Sequence, residues 1–276
     1  MRITPIDDVA TTMSSARPVV ALGLPLLLVA APVPTGPSLE ELTRLAGAHP
    51  DQAWPLDAHI STAHNAHYSN TRAQLAIALS GEYNSLEGDI RVRDGVAVMA
   101  HDSGRVPELT FEQWATLGAR SGKMLRVDVK DAGALASVVD TLDRLRVPHE
   151  RITFNLSVEQ PWSGASVSMR AAKAVRHLFP AAWISLNRPL PGTLGIRAVI
   201  EAGQALGGKV AVAMRAPGVD PDDVRRARAG GITVNIWNLP LLWQPANVAA
   251  ETARLRALGV NGQIDLRRRD DPLADD

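Results

Sequence analysis

Residues 85–102 read SLEGDIRVRDGVAVMAHD, and the reading of this stretch decides the fold. Ser85–Ile90 is predicted as a strand, and its alternation sends Glu87 and Asp89 to one face. Arg93-Asp94-Gly95 is a tight-turn signal, so Val96–Ala100 should fold back onto that strand as a hairpin. The hairpin ends in His101-Asp102.

Working outward, the chain alternates short β-rich runs with amphipathic helical runs. Further strands are expected at Ala58–Ala63, Met124–Val129, Ile152–Asn155 and Trp183–Leu186, then at Val210–Met214, Thr233–Trp237 and Gly262–Leu266. The helices between them have readable ends. Ser38 with Glu41, and Thr110 with Gln113, are capping-box pairs. Asp131 to Leu145 carries apolar residues at helical spacing, and Gly207-Gly208 and Gly230-Gly231 mark helix stops. Strand–helix alternation means parallel strands, and eight of them call for an α/β fold of the (β/α)8 TIM-barrel type, with the extra short hairpin strand after the second. No dinucleotide or P-loop glycine pattern is present in the sequence.

The bulk figures agree with one such barrel. The chain has 276 residues and is 46% apolar, enough for a large core. Lys plus Arg and Asp plus Glu both total 29, so no net charge recommends nucleic acid as a partner. With no cysteine, disulfides and thiolate metal sites are excluded. Residues 1–37 are set apart from a barrel at 38–276. Val19 to Val33 reads VVALGLPLLLVAAPV, short for a membrane span of roughly 20 residues. Residues 18–34 therefore read either as a signal or anchor, giving a secreted or membrane-anchored protein, or as a buried apolar segment of a cytoplasmic one.

In a barrel, chemistry sits where strands end. His67 and Asn70 follow the first strand, with His64 the alternative first-strand histidine and His59 read as structural. Glu87 and Asp89 lie on the second strand, His101 ends the hairpin, and Asp128 and Lys130 end the third. Later strands end in Asn155, Asn187, Arg215, Trp237 with Asn238, and Asp265. Glu87, Asp89 and Asp128 repel one another unless a hard cation or a nearby base such as Lys130 or Arg215 neutralises them. Oxygen ligation favours one Mg²⁺ or Ca²⁺ over zinc. His67 and His101 suit acid–base work, because both protonation states of imidazole are accessible near neutrality. Lys130 and Arg215 can meet an anionic oxygen. Trp237 walls the pocket or belongs to the core; Asn70 touches substrate, and Asn155, Asn187 and Asp265 touch substrate or cap the next helix.

His67-Tyr68-Ser69-Asn70, Leu86-Glu87-Gly88-Asp89, Met99-Ala100-His101, Leu109-Thr110-Phe111-Glu112-Gln113-Trp114 and Val127-Asp128-Val129-Lys130 form an ordered set. Ile152-Thr153-Phe154-Asn155, the strand ending in Arg215, and Ile236-Trp237 extend it. The set resembles the menorin family, which belongs with glycerophosphodiester phosphodiesterases and spider-type phospholipases D among the phospholipase-C-like barrels. The resemblance implies metal ligation by Glu87, Asp89 and Asp128, an acid–base pair of His67 and His101, and contact of Lys130 with a phosphate. It further implies a small or lipid phosphodiester, at a membrane surface in the lipid case. In the related phospholipases D one histidine assists attack and the other protonates the leaving oxygen, and a neighbouring hydroxyl as nucleophile gives a cyclic phosphate. Neither His-Arg-Gly nor Glu-Asn-Thr occurs here, so glycerol phosphodiesters do not follow. Menorin-family proteins also suggest the alternative of a non-catalytic binding or adhesion protein retaining the metal site. A barrel glycosidase fits less well, because two carboxylates on one strand sit too close to divide acid and base between them.

Overall fold

The computed structural model describes residues 36–159, 164–187 and 195–273. The apolar stretch 18–34 lies outside these residues. Among the described residues no helix is long and apolar enough to cross a membrane.

The first half of the chain runs α1 (Leu39–Ala46), β1 (Asn65–Ala66), α2 (Arg72–Ser80), β2 (Ser85–Arg93), β3 (Val96–Met99), α3 (Phe111–Ser121), β4 (Met124–Val129) and α4 (Leu135–Arg144). The second half runs β5 (Ile152–Val158), β6 (Ser166–Val167), α5 (Met169–Leu178), β7 (Trp183–Asn187), α6 (Ile196–Leu206), β8 (Val210–Arg215), α7 (Pro221–Ala229), β9 (Thr233–Trp237), α8 (Val248–Ala257) and β10 (Ile264–Asp265). The sheet order is β1-β2-β4-β5-β7-β8-β9-β10, all parallel, while β3 returns antiparallel on β2. This is the expected (β/α)8 barrel with its hairpin. Among the described residues no backbone ladder joins β1 to β10, so the cylinder is nearly closed.

Several expected boundaries are met closely. Ser38 and Thr110 form reciprocal capping boxes with Glu41 and Gln113. Gly207 and Gly208 adopt φ of 64° and 69° where α6 stops, a conformation that glycine reaches without a Cβ clash.

The expected strand at Ala58–Ala63 is a 3₁₀ turn, Ile60–Thr62, and the first strand lies later, at Asn65–Ala66. The His59 side chain accepts the Ser61 N–H at 3.2 Å and Thr62 Oγ1 donates to the His59 carbonyl at 2.9 Å, which curls the backbone. Ile60 then plugs the base of the barrel against Trp54, Met124, Trp183 and Ala211. The last strand is also shorter than the expected Gly262–Leu266. Its flanking amides go to side chains: Gln263 N to Asn235 Oδ1 and Arg267 N to Asn238 Oδ1, both at 2.8 Å. The helix expected from Asp131 begins at Leu135. Asp131 instead accepts from Arg91 Nη1 at 3.1 Å and Val92 N at 2.9 Å.

Apolar side chains on the outer face of the sheet meet the helices in one continuous core that includes Leu86, Val127, Phe154, Ile184, Val212 and Val234. The inward face is polar toward the strand ends. Glu87 pairs in register with Arg126, and Asp89 with Asp128, which in turn neighbours Asn155.

Candidate active site

A cavity of about 300 Å³ opens at the C-terminal ends of the strands. His67, Glu87, His101, Asp128, Lys130, Asn155, Trp237 and Asp265 all line it. The strand-end rule of the barrel thus gathers most of the expected residues in one place.

His67 lies just past β1 and is anchored across the seam. Its Nδ1 is 2.7 Å from Asp265 Oδ2 and 3.4 Å from Glu87 Oε2. Asn65 Nδ2 donates to Asp265 Oδ2 at 3.0 Å and also to Glu87 Oε2. Burial pushes the Asp265 carboxyl up, but the charge and hydrogen bond of His67, the Arg267 charge and the Asn65 amide outweigh it. The group stays well below the usual carboxylate range. Asp265, expected as a substrate or capping group, is thus placed as the anchor of His67. His101 follows the hairpin, with Nδ1 3.0 Å from the exposed carboxylate of Asp102.

Glu87, Asp89 and Asp128 point to the same rim but do not form one cluster. Lys130 Nζ lies 3.1 Å from Asp89 and 2.8 Å from Asp128. Burial works to lower the lysine's pKa, yet the two carboxylates raise it well above the ordinary value, so it stays charged. Glu87 is flanked by Arg126 Nε at 3.6 Å. Among the described residues, the group whose ligand atoms fall within 4.8 Å of one another is instead His67, Glu87 and Asp265.

Two carboxylates and one imidazole make a donor group that fits a divalent ion, and outside that group Asp128 Oδ1 is buried without a hydrogen-bond partner. The chain also supplies fixed cations of its own, Arg126, Lys130 and Arg267, against the carboxylates of Glu87, Asp89, Asp128 and Asp265.

Asn70 is turned to Asp89, donating from Nδ2 at 2.7 Å and accepting the Asp89 N–H at 2.8 Å, and does not line the cavity. Arg215 is exposed and also outside the lining. His64 precedes β1, at the opposite end of the barrel, and its ring packs on Tyr83 at 4.9 Å. Asn238 is a loop staple, donating to the carbonyls of Trp243 and Arg267.

Tyr68, Arg126 and Arg267 were not anticipated as site residues. Tyr68 has φ of 56°, unusual for a side chain with a Cβ, and this turns its ring into the cavity between the two histidines. Its centroid is 4.3 Å from that of His67 and 5.1 Å from that of His101, with Arg267 5.0 Å over its face. Nothing in the residue string signals that backbone turn. Arg126 was readable, because it stands two residues before Asp128 on the same strand face.

Residues 59–186 match the family model described as the Menorin N-terminal domain. The menorin resemblance therefore holds. The matched segment runs from before β1 into β7 and contains every menorin-like motif up to Asn155, with His67 and His101, Glu87, Asp89, Asp128 and Lys130. No curated protein matches the chain. Among solved structures, a protein of Silicibacter pomeroyi provisionally described as a glycerophosphoryl diester phosphodiesterase is 16% identical with a TM-score of 0.53. The match covers 81% of this chain and 93% of that one. A protein of Galdieria sulphuraria, provisionally described as a glycerophosphodiester phosphodiesterase, is 14% identical with a TM-score of 0.49, over 70% and 85% of the two chains. At 16% identity the likeness to the Silicibacter pomeroyi protein bears on the fold alone, and it agrees with the barrel described above.

Proposed function

We propose that residues 38–276 form a divalent-metal-dependent phosphodiesterase, hydrolase or lyase, acting on a small or lipid phosphodiester. The observation that carries this reading is His67, locked to Asp265 through Nδ1, sharing one cavity with His101. With Nδ1–H donating to the carboxylate, Nε2 of His67 is left to accept a proton from the attacking oxygen. As that oxygen bonds to phosphorus, the bond to the leaving alcohol breaks, and His101 gives the alcohol its proton. If the attacker is water the product is a phosphomonoester; if it is a neighbouring substrate hydroxyl the product is a cyclic phosphate.

Lys130 faces the phosphate as a fixed positive charge, and Tyr68 keeps the two imidazoles apart and oriented. Of the three carboxylates expected as ligands, Glu87 and Asp128 line the cavity and would hold Mg²⁺ or Ca²⁺, with Asp265 the further carboxylate beside Glu87, while Asp89 is taken up by Lys130 and Asn70 outside the lining. Such an ion supplies Lewis-acid neutralisation of a phosphoryl oxygen. The test is turnover of a broad phosphodiester panel with either metal supplied. His101→Ala is expected to lower kcat/KM by about 10²–10⁴-fold, and Glu87→Ala to remove metal-dependent turnover. No turnover of any ester by the parent chain at high concentration defeats the proposal.

One observation favours a second reading. Lys130 already pairs Asp89 and Asp128, and Arg126 flanks Glu87, so the carboxylates are stable company without chemistry. A non-catalytic binding or adhesion protein needs only that. It predicts that Glu87→Ala shifts melting temperature and partner binding while turnover is absent throughout.

A further inference from the structure

The two walls of the cavity differ in kind. In sheet order, β10, β1, β2 and β4 form one continuous arc across the seam, and β5, β7, β8 and β9 form the arc that faces it. Among the described residues, every ionisable group that lines the cavity belongs to the first arc or to the chain just beyond its strands: His67, Glu87, His101, Arg126, Asp128, Lys130 and Asp265. The facing arc and the chain just beyond it contribute, among the described residues, Asn155, Asn187, Ala213, Asn235, Ile236, Trp237 and Leu239, none of them charged.

This facing arc is built to meet hydroxyl groups. Asn155 lines the cavity and is 4% exposed, and its Oδ1 is buried with no hydrogen-bond partner. A desolvated acceptor of that kind is stabilised by a ligand donor. Asn187 Nδ2 reaches Ser157 Oγ at 3.3 Å and Asn235 Nδ2 reaches Ser185 Oγ at 3.5 Å, so a row of amides and hydroxyls runs along the wall. Ala213, set between them on β8, leaves the space that a longer side chain would take.

A quaternary ammonium group, with no N–H to donate, asks for something else, a carboxylate or a cage of aromatic faces. Among the described residues, the cavity lining on this arc has no carboxylate and one aromatic residue, Trp237. We infer that this wall takes the alcohol half of the phosphodiester as an uncharged, hydroxyl-bearing group, a polyol or sugar, and disfavours quaternary ammonium alcohols of the choline type. The inference rests on the phosphodiesterase reading for the placement of the phosphate on the charged arc. About 300 Å³ admits one such headgroup.

Calorimetry on the intact chain with inositol 1-phosphate and with phosphocholine tests it, because the probes differ only in the alcohol. Inositol 1-phosphate is expected to bind at least tenfold more tightly. Ala213→Leu should remove that advantage by filling the wall. The isosteric Asn187→Asp, which places a carboxylate there, should shift preference toward phosphocholine and serves if Ala213→Leu does not fold. Equal or tighter binding of phosphocholine by the parent chain overturns the inference, as does failure of both probes to bind. Turnover of choline esters with no preference for polyol esters would remove this inference and leave the phosphodiesterase reading standing. Polyol-selective binding without turnover of any ester would do the reverse.

Discussion

Replacing Asp265 with Asn keeps the shape of the side chain and removes its charge. In the parent chain Asp265 Oδ2 accepts from His67 at 2.7 Å and Asn65 at 3.0 Å, and Oδ1 lies 3.7 Å from Arg267 Nε. Hydrogen bonds to a charged acceptor contribute about 1.5–3 kcal/mol each, and neutral ones about 1. Two such bonds weakened to the neutral kind cost about 1–4 kcal/mol, which in a chain of this size lowers Tm by about 2–16 °C. The pH dependence has a definite sign. Asp265 titrates lower in the folded state than its unfolded value of about 3.9, so its stabilisation is complete above about pH 4 and is lost as pH falls further. Thermal unfolding followed by circular dichroism, from pH 7 down to the lowest pH at which the parent stays folded, should show a gap that narrows below pH 4. A Tm within 1 °C of the parent at pH 7, or a gap that does not narrow on acidification, refutes the reasoning.

Two further outcomes are expected. Gly88→Ala places a Cβ 2.2 Å from Met99 Cε and 3.0 Å from Trp114 Cε2; the methionine can yield, but Trp114 is held by its Nε1 bond to Ser69. A loss of about 1–3 kcal/mol should appear in the urea midpoint, and an unchanged midpoint would show that both neighbours relax freely. Lys123 is buried among the Tyr83 carbonyl, the Gly81 carbonyl and Gln52, and burial lowers its pKa to about 8 despite the opposing charge of Asp51. Because its folded value lies below the unfolded one, this residue disfavours folding below pH 8, and that penalty fades as pH rises toward 10.5. Carbon-detected NMR at its Cε should give a midpoint near 8; a midpoint above 10 contradicts the assignment.

The order of strands and helices was legible because each buried strand face and each cap is a local statement. Ser38, Thr110 and Gly207 announce their helix ends through bonds that span three or four residues. Boundaries failed where a side chain outbid the ladder for a backbone group, as His59 does for Ser61 N, Asp131 for Val92 N and Asn235 for Gln263 N. The site was legible as a census of strand-end residues, and its wiring was not. Asp265 stands 198 residues from His67 in the chain, and their contact exists only once the first and last strands have come round to meet. The same gap hid the division of labour among Glu87, Asp89 and Asp128, since nothing in their spacing says that Lys130 serves two of them and Arg126 the third.

The meeting of β1 with β10 carries a consequence for motion as well as chemistry. Every other neighbouring pair of barrel staves is stitched by backbone bonds, while this join depends on imidazole, carboxylate and amide tips. It is therefore the natural place for the cylinder to part, and amide exchange should be fastest along Asn65–Ala66 and Ile264–Asp265. Whatever molecule engages those tips acts also as a clasp on the hoop, so occupancy of the mouth and integrity of the whole ring are coupled quantities.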